Sequence, residues 1–132
     1  MNARQPSPCA QRDLILRLNR WERLSPRDPA ALAAVRAANG AYFRFIEAEL
    51  RDGTAAAYRT RFGVTVIRDE GDQLCVVSFE GERYGDAVTY LRHCAKAAGW
   101  SSFRMHCDKS SIVRLWRKHG IQPTEYIYEE TL

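Results

Sequence analysis

The second half of the chain alternates between two hydrophobic periods, and that alternation constrains the fold more than any other feature. From Glu80 to Leu132 the order reads loop, helix, strand, helix, strand. Val88, Leu91, Cys94, Ala95 and Ala98 share one helical face, and Gly99 ends that helix. In Ser102–Cys107, Phe103, Met105 and Cys107 alternate with Arg104 and His106, the mark of a strand with two different faces. Asp108 or Ser110 then caps a helix carrying Ile112, Leu115 and Trp116, which Gly120 closes, and Thr124–Glu129 is a last strand. Upstream, the β-branched run Val64–Ile67, the turn Asp69–Asp72 and the strand Gln73–Phe79 make a hairpin. The strand–helix–strand spacing predicts strand 102–107 beside strand 73–79, joined through helix 86–98 as a right-handed parallel crossover.

The front half reads differently. Residues 1–12 carry Pro6 and Pro8 without periodicity and read as an arm. From Asp13, Leu14, Leu18 and Trp21 fall on one helical face, with Ile15 beside them, until Ser25-Pro26 stops the helix. Asp28-Pro29 is an N-cap followed by proline at the first helical position, ahead of the Ala-rich run 30–38 and the stop Asn39-Gly40. Tyr42, Phe43, Phe45, Ile46 and Leu50 stripe a third helix that ends at Gly53. Thr54 is placed to cap a short fourth helix ending at Gly63. The expected architecture is one α/β (α+β) domain over residues 1–132. It has an arm at 1–12, a helical part at 13–63, and a short mixed sheet with flanking helices at 64–132.

A chain of 132 residues with 45% hydrophobic residues buries roughly two thirds of its unfolded surface and needs no covalent staples. No apolar run approaches the ~20 residues of a membrane span. The start, MNARQPSPCAQR, has no apolar core of a signal peptide, so a cytoplasmic location is expected. Cys9, Cys75, Cys94 and Cys107 form no C-x-x-C pair and read as small buried hydrophobes. Net charge is +4, unevenly spread. Residues 1–61 hold eleven Arg against six acids, and the remainder nine basic against ten acidic residues. The basic front half suits a solvated face first, and an acidic protein or nucleic acid second.

Two stretches of the second half resemble the GCN5-related N-acetyltransferase (GNAT) superfamily. Glu82-Arg83-Tyr84-Gly85-Asp86-Ala87 lies where that family has Gln/Arg-x-x-Gly-x-Gly/Ala, and Lys109-x-x-Ile112-x-x-x-Trp116-x-x-x-Gly120-Ile121 keeps the spacing of its Asn-x-x-Ala-x-x-x-Tyr-x-x-x-Gly-Phe. The resemblance covers roughly residues 72–130. It implies a GNAT-like sheet that opens with a strand, two helices and three antiparallel strands, and an acetyl-CoA site at Arg83, Tyr84, Gly85, Asp86 and Ala87. There, backbone N–H groups and the helix end would hold the pyrophosphate. Two departures bear on activity. Glu82 and Asp86 bring carboxylates to a pyrophosphate position, which opposes binding. Trp116 stands where the family's general-acid Tyr would be, and indole has no proton to give at useful pH. In an active enzyme Tyr126 or Tyr128 would have to take that role. In size and brevity the chain also resembles small GNAT-like proteins of tailed bacteriophages, some connected with virion assembly or DNA ejection.

The expected function is therefore a non-catalytic GNAT-like interaction or assembly protein without a cofactor, a phage virion component included, acting in host cytoplasm or virion. The alternative is an acetyl-CoA-dependent N-acetyltransferase. The expected partner is another protein chain, a phage structural protein or a second copy. It would meet Arg12, Leu14, Arg17, Leu18 and Trp21 of the first helix, whose Arg residues face acidic groups at the rim. Nucleic acid is a weaker alternative. His93-Cys94, His106-Cys107 and His119 recur thirteen residues apart and invite a metal reading. Geometry opposes it, because strand neighbours point to opposite faces and helix neighbours stand about 100° apart.

Overall fold

The computed structural model describes residues 8–39 and 43–105. Four helices and five strands follow in the order α1 (Pro8–Leu18), β1 (Glu22–Leu24), α2 (Pro29–Asn39), α3 (Phe43–Asp52), β2 (Ala56–Thr60), β3 (Gly63–Asp69), β4 (Gln73–Gly81), α4 (Tyr84–Ala97) and β5 (Ser102–Met105). They build one mixed sheet in the order β1-β2-β3-β4-β5. The first three pairings are antiparallel, and β4 pairs with β5 in parallel, Gln73 opposite Ser102 and Val76 opposite Met105. The hairpin and the parallel pairing across α4 agree with the sequence. The helix at 109–120, the strand at 124–129, Cys107 and Trp116 lie outside the described residues.

Local chemistry sets the boundaries. Asp28 accepts the Ala30 N–H at 2.8 Å and Pro29 opens α2, as its sequence requires. At the end of α2 the Asn39 amide donates to Val35 O at 2.7 Å and to Ser78 Oγ at 2.8 Å. Gly99, at φ +92°, stops α4, and the Gly99 and Trp100 N–H groups donate to Lys96 O and Ala95 O.

Helices cover both sides of the sheet. On one side, Leu16 and Trp21 from the α1 region and Val88, Leu91, Cys94 and Ala95 of α4 meet Tyr58, Ile67, Leu74, Val76 and Phe79. On the other, Ala31 and Val35 of α2 and Ile46 and Leu50 of α3 meet Ala57, Val66, Cys75 and Val77. Each fully buried Leu, Val or Trp side chain contributes about 1.5–3 kcal/mol. The alternation along β4 breaks once. Val66 faces Ser78 but Ile67 faces Val76, so Val77 is an extra residue in β4. As a result Val77 packs in the α2–α3 core while Ser78 bonds Asn39 of α2.

Three expectations are corrected. Residues 56–60 are a strand, not part of a helix ending at Gly63: a continuous ladder to β3, from Ala56↔Ile67 to Thr60↔Gly63, overrides the helix preference of the alanines. Residues 22–24 add a second strand to the front half, pairing with β2. The N-terminal helix begins at Pro8, so residues 8–12 are helical and not an arm. Its inward residue is Leu16, 1% exposed. The helix ends at Leu18, Arg20 turns the chain in the left-handed region at φ 66°, and Trp21 then enters the core against Tyr58. No helix among the described residues is long and apolar enough to cross a membrane.

Candidate functional site

The residues singled out at the head of α4 are brought to one place by a close backbone approach. At Gly63 and Gly81 the start of β3 and the end of β4 run so near each other that a Cβ on Gly63 would overlap Glu80 O. One on Gly81 would overlap Phe62 O. The Glu82 N–H donates to Phe62 O at 3.1 Å. The two-residue β2–β3 turn, Arg61-Phe62, therefore sits against the β4–α4 junction.

Arg83 precedes α4 in a left-handed conformation, φ 56° and ψ 54°, and makes no side-chain cap to the helix. Its guanidinium pairs with Asp86 one turn on and lies 5.7 Å from the centroid of the Phe62 ring. Tyr84 packs edge-on against Phe79, the Gly85 carbonyl accepts the Thr89 hydroxyl at 3.2 Å, and Ala87 is fully buried. Phe62 and Tyr90 form an edge-to-face pair at 5.3 Å. Arg61 lies over both rings, at 5.1 and 5.8 Å. The Tyr90 hydroxyl donates to Asn19 O at 2.8 Å, and burial raises its pKa above the ordinary tyrosine value. Together Arg61, Phe62, Arg83, Asp86, Thr89, Tyr90 and His93 line an open cleft of about 390 Å³.

Arg83 thus stands at the N-cap of α4, and Tyr84, Gly85, Asp86 and Ala87 form its first turn. Arg83 answers the Asp86 carboxylate, while Glu82 stands exposed beside them. Arg61, Phe62, Tyr90 and His93 were not legible as members of this site. Their only sequence signal is an Arg-aromatic pair just before Gly63, and the turn that makes it useful was read as helix. Tyr126 and Tyr128 lie outside the described residues.

The residues expected at an interface separate into two groups. Leu14 and Leu18 are 56% and 75% exposed, and Arg17 pairs with Asp13 at 2.8 Å along the same helix. Arg12 and Trp21 belong to the domain itself. Trp21 is 2% exposed, so it cannot meet another chain without unfolding this one. Arg12 bonds Asp69 at 2.9 Å and the Gly71 carbonyl, and lies 4.7 Å over the Trp100 ring. Asp69 also accepts the Trp100 indole N–H at 3.0 Å and the Gly71 N–H at 3.1 Å. Burial pushes the Asp69 carboxyl up, but these three donors outweigh it and hold the group below the usual carboxylate value.

Cys75 and Cys94 are buried free thiols, and burial pushes Cys75 up to about 11 although Arg104 pulls the other way. His93 is exposed while Cys94 is buried, so the two point in different directions. Among the described residues no group of three or more His, Cys, Asp or Glu is arranged to hold a metal ion. No protein-family model matches this chain, and neither curated proteins nor solved structures gave a match to it.

Proposed function

We propose that the chain is a GNAT-like interaction or assembly module that binds a protein partner through the outer face of α1, in a virion or its host cell. The observation that carries this reading is the exposure of Leu14 and Leu18, one turn apart on a helix whose opposite side is anchored by Leu16. Two neighbouring leucines left in water represent about 1.5–3 kcal/mol each that a partner surface recovers. Arg17 and Arg20 flank them and suit an acidic rim. Glu82 and Asp86 at the head of α4 fit the non-catalytic side of the reading, since of the two only Asp86 has an arginine ion-pair partner among the described residues.

A second reading, an acetyl-CoA-dependent N-acetyltransferase, draws support from the element order. From β1 onward the chain runs strand, two helices, three antiparallel strands, helix and parallel strand, which is the order the family resemblance implies. Sedimentation of the wild type and of a Leu14→Ser/Leu18→Ser variant, with an acetyl-CoA titration alongside, separates the two. Concentration-dependent self-association lost in the variant, with acetyl-CoA binding weaker than micromolar, supports the assembly module. A monomer that binds acetyl-CoA at micromolar concentration replaces it with the enzyme.

A further inference from the structure

The sheet has one outer strand whose surroundings neither the α1 face nor the α4 cleft accounts for. β1 pairs with β2 alone, through Glu22↔Arg59, Arg23↔Tyr58 and Leu24↔Ala57. Among the described residues its backbone bonds to no other element. In an antiparallel pair only alternate N–H and C=O groups face the partner strand. The remaining groups of β1 therefore point away from the sheet, and no described residue takes them up.

Positive charge gathers at the same rim. Residues 1–61 hold eleven arginines, and their six carboxylates are all engaged. Asp13, Glu47 and Glu49 pair with Arg17, Arg36 and Arg68, and Glu22 reaches Arg59 at 3.9 Å. Asp28 and Asp52 accept backbone N–H groups. Arg20, Arg23 and Arg27 are left without an ion pair among the described residues, and all three are exposed on the short stretch that carries β1. Tyr58 steadies the middle one: the Arg23 guanidinium lies 5.4 Å from its ring centroid and donates to its hydroxyl at 3.4 Å.

Together the open edge and the unpaired cations select the occupant. A second copy of β1 would bring its own Arg23 and flanking arginines against these, and like charges across an antiparallel pair destabilise it. A nucleic acid would engage the arginines but form no ladder. We infer that β1 takes up an extended acidic segment of a partner protein, which adds to the sheet as its outermost strand while its carboxylates meet Arg20, Arg23 and Arg27. Pro26 closes the edge two residues past Leu24, so the ladder is short and charge supplies a large share of the affinity. The site does not use Leu14 or Leu18 and stands whether or not the α1 face is an interface. Arg20 borders both surfaces, so the variants below leave it in place.

The experiment is fluorescence anisotropy of a short fluorescein-labelled peptide of alternating Glu and Val, titrated with the full chain at low ionic strength. Competitors are the unlabelled peptide, the same peptide N-methylated at every residue, and oligothymidylate. The N-methylated peptide keeps every carboxylate but has no N–H to give to a ladder, so it should compete poorly. Arg23→Glu/Arg27→Glu is expected to weaken binding roughly tenfold, because two attractive pairs become repulsive. Arg27→Glu alone, at an exposed turn residue, should weaken it roughly threefold and decides the matter if circular dichroism shows the double variant unfolded. Arg44→Glu/Arg51→Glu, the same charge change on α3, stays within about twofold of wild type. Leu14→Ser/Leu18→Ser binds the peptide like wild type, which separates this edge from the α1 face. The inference falls if the peptide does not bind, or if its N-methylated form competes as well as the parent. It falls equally if the α3 variant loses as much as the β1 variants, if Leu14→Ser/Leu18→Ser abolishes binding, or if oligothymidylate displaces the probe more readily than the unlabelled peptide does.

Discussion

Replacing Asp69 tests whether one carboxylate ties the N-terminal helix to the sheet. Its partners come from three parts of the chain: Arg12 of α1, Trp100 before β5, and Gly71 in the β3–β4 turn. In Asp69→Ala the Trp100 indole N–H is left unpaired in a side chain that is only 6% exposed. A buried donor without an acceptor costs about 1–3 kcal/mol, and the charge-assisted bond from Arg12 contributes about 1.5–3 kcal/mol more. The sum overstates the loss. The Asp69 side chain is 26% exposed, so water screens it, and Arg12 keeps the Gly71 carbonyl. The expected destabilisation is about 3 kcal/mol, or roughly 10 °C in Tm for a domain of this size. Asp69→Asn retains an acceptor for Trp100 and loses about half as much. Urea unfolding at neutral pH measures both. Because the folded carboxyl is held below its ordinary value of 3.8, its stabilisation is fully present above that pH. It is lost as pH falls through the lower, folded value. The gap between wild type and Asp69→Asn should therefore narrow in acid. A loss under about 0.5 kcal/mol for Asp69→Ala, or a gap that stays constant down to about pH 3, would refute the reasoning.

Gly81→Ala drives a methyl into the Phe62 carbonyl and the Gly63 backbone, neither of which can swing away, and should destabilise by about 3 kcal/mol or more; Gly71→Ala, with open space around it, should lose only about 1 kcal/mol from its positive φ, as paired melting curves would show. Leu16→Ala should lose about 3 kcal/mol and Leu14→Ala less than about 0.5 kcal/mol, since the first is 1% and the second 56% exposed. Equal losses in a denaturant series would mean that α1 docks the other way round. Cys75, with its thiol near 11, should resist alkylation at about pH 8 until the domain unfolds, which peptide mapping after iodoacetamide treatment reads directly; modification at the native rate of a small thiol would contradict the burial.

What could be read from the sequence follows from how local each signal is. The α2 cap at Asp28 and the α4 stop at Gly99 use neighbours within a few residues, and both are where the sequence puts them. The inward face of α4 repeats over five apolar positions and is buried at every one. The parallel pairing of β4 with β5 follows from strand–helix–strand order. The strands β1 and β2 were not legible. Glu22–Leu24 is three residues long, and Ala56–Thr60 opens with alanines that favour helix; both exist because β3 offers a ladder distant in sequence. Trp21 was misplaced for a related reason: the stripe with Leu14 and Leu18 assumes that the helix continues, whereas the turn at Arg20 rotates the next residue inward. The head of α4 was legible through Gly85 and Ala87. Its cleft was not, because Arg61 and Phe62 arrive by a backbone crossing at two glycines far apart in the chain.

The left-handed Arg83 has a consequence for how this chain can change over generations. Glycine adopts φ 56° freely, so Arg83→Gly relieves about 1 kcal/mol of backbone cost while surrendering the side chain that answers Asp86 and borders Phe62. Stability and surface chemistry pull in opposite directions at this one codon. Random drift under selection for folding alone would favour glycine there. Retention of arginine across descendants of this protein would therefore be a record of selection on the surface itself, readable without knowing what the surface meets.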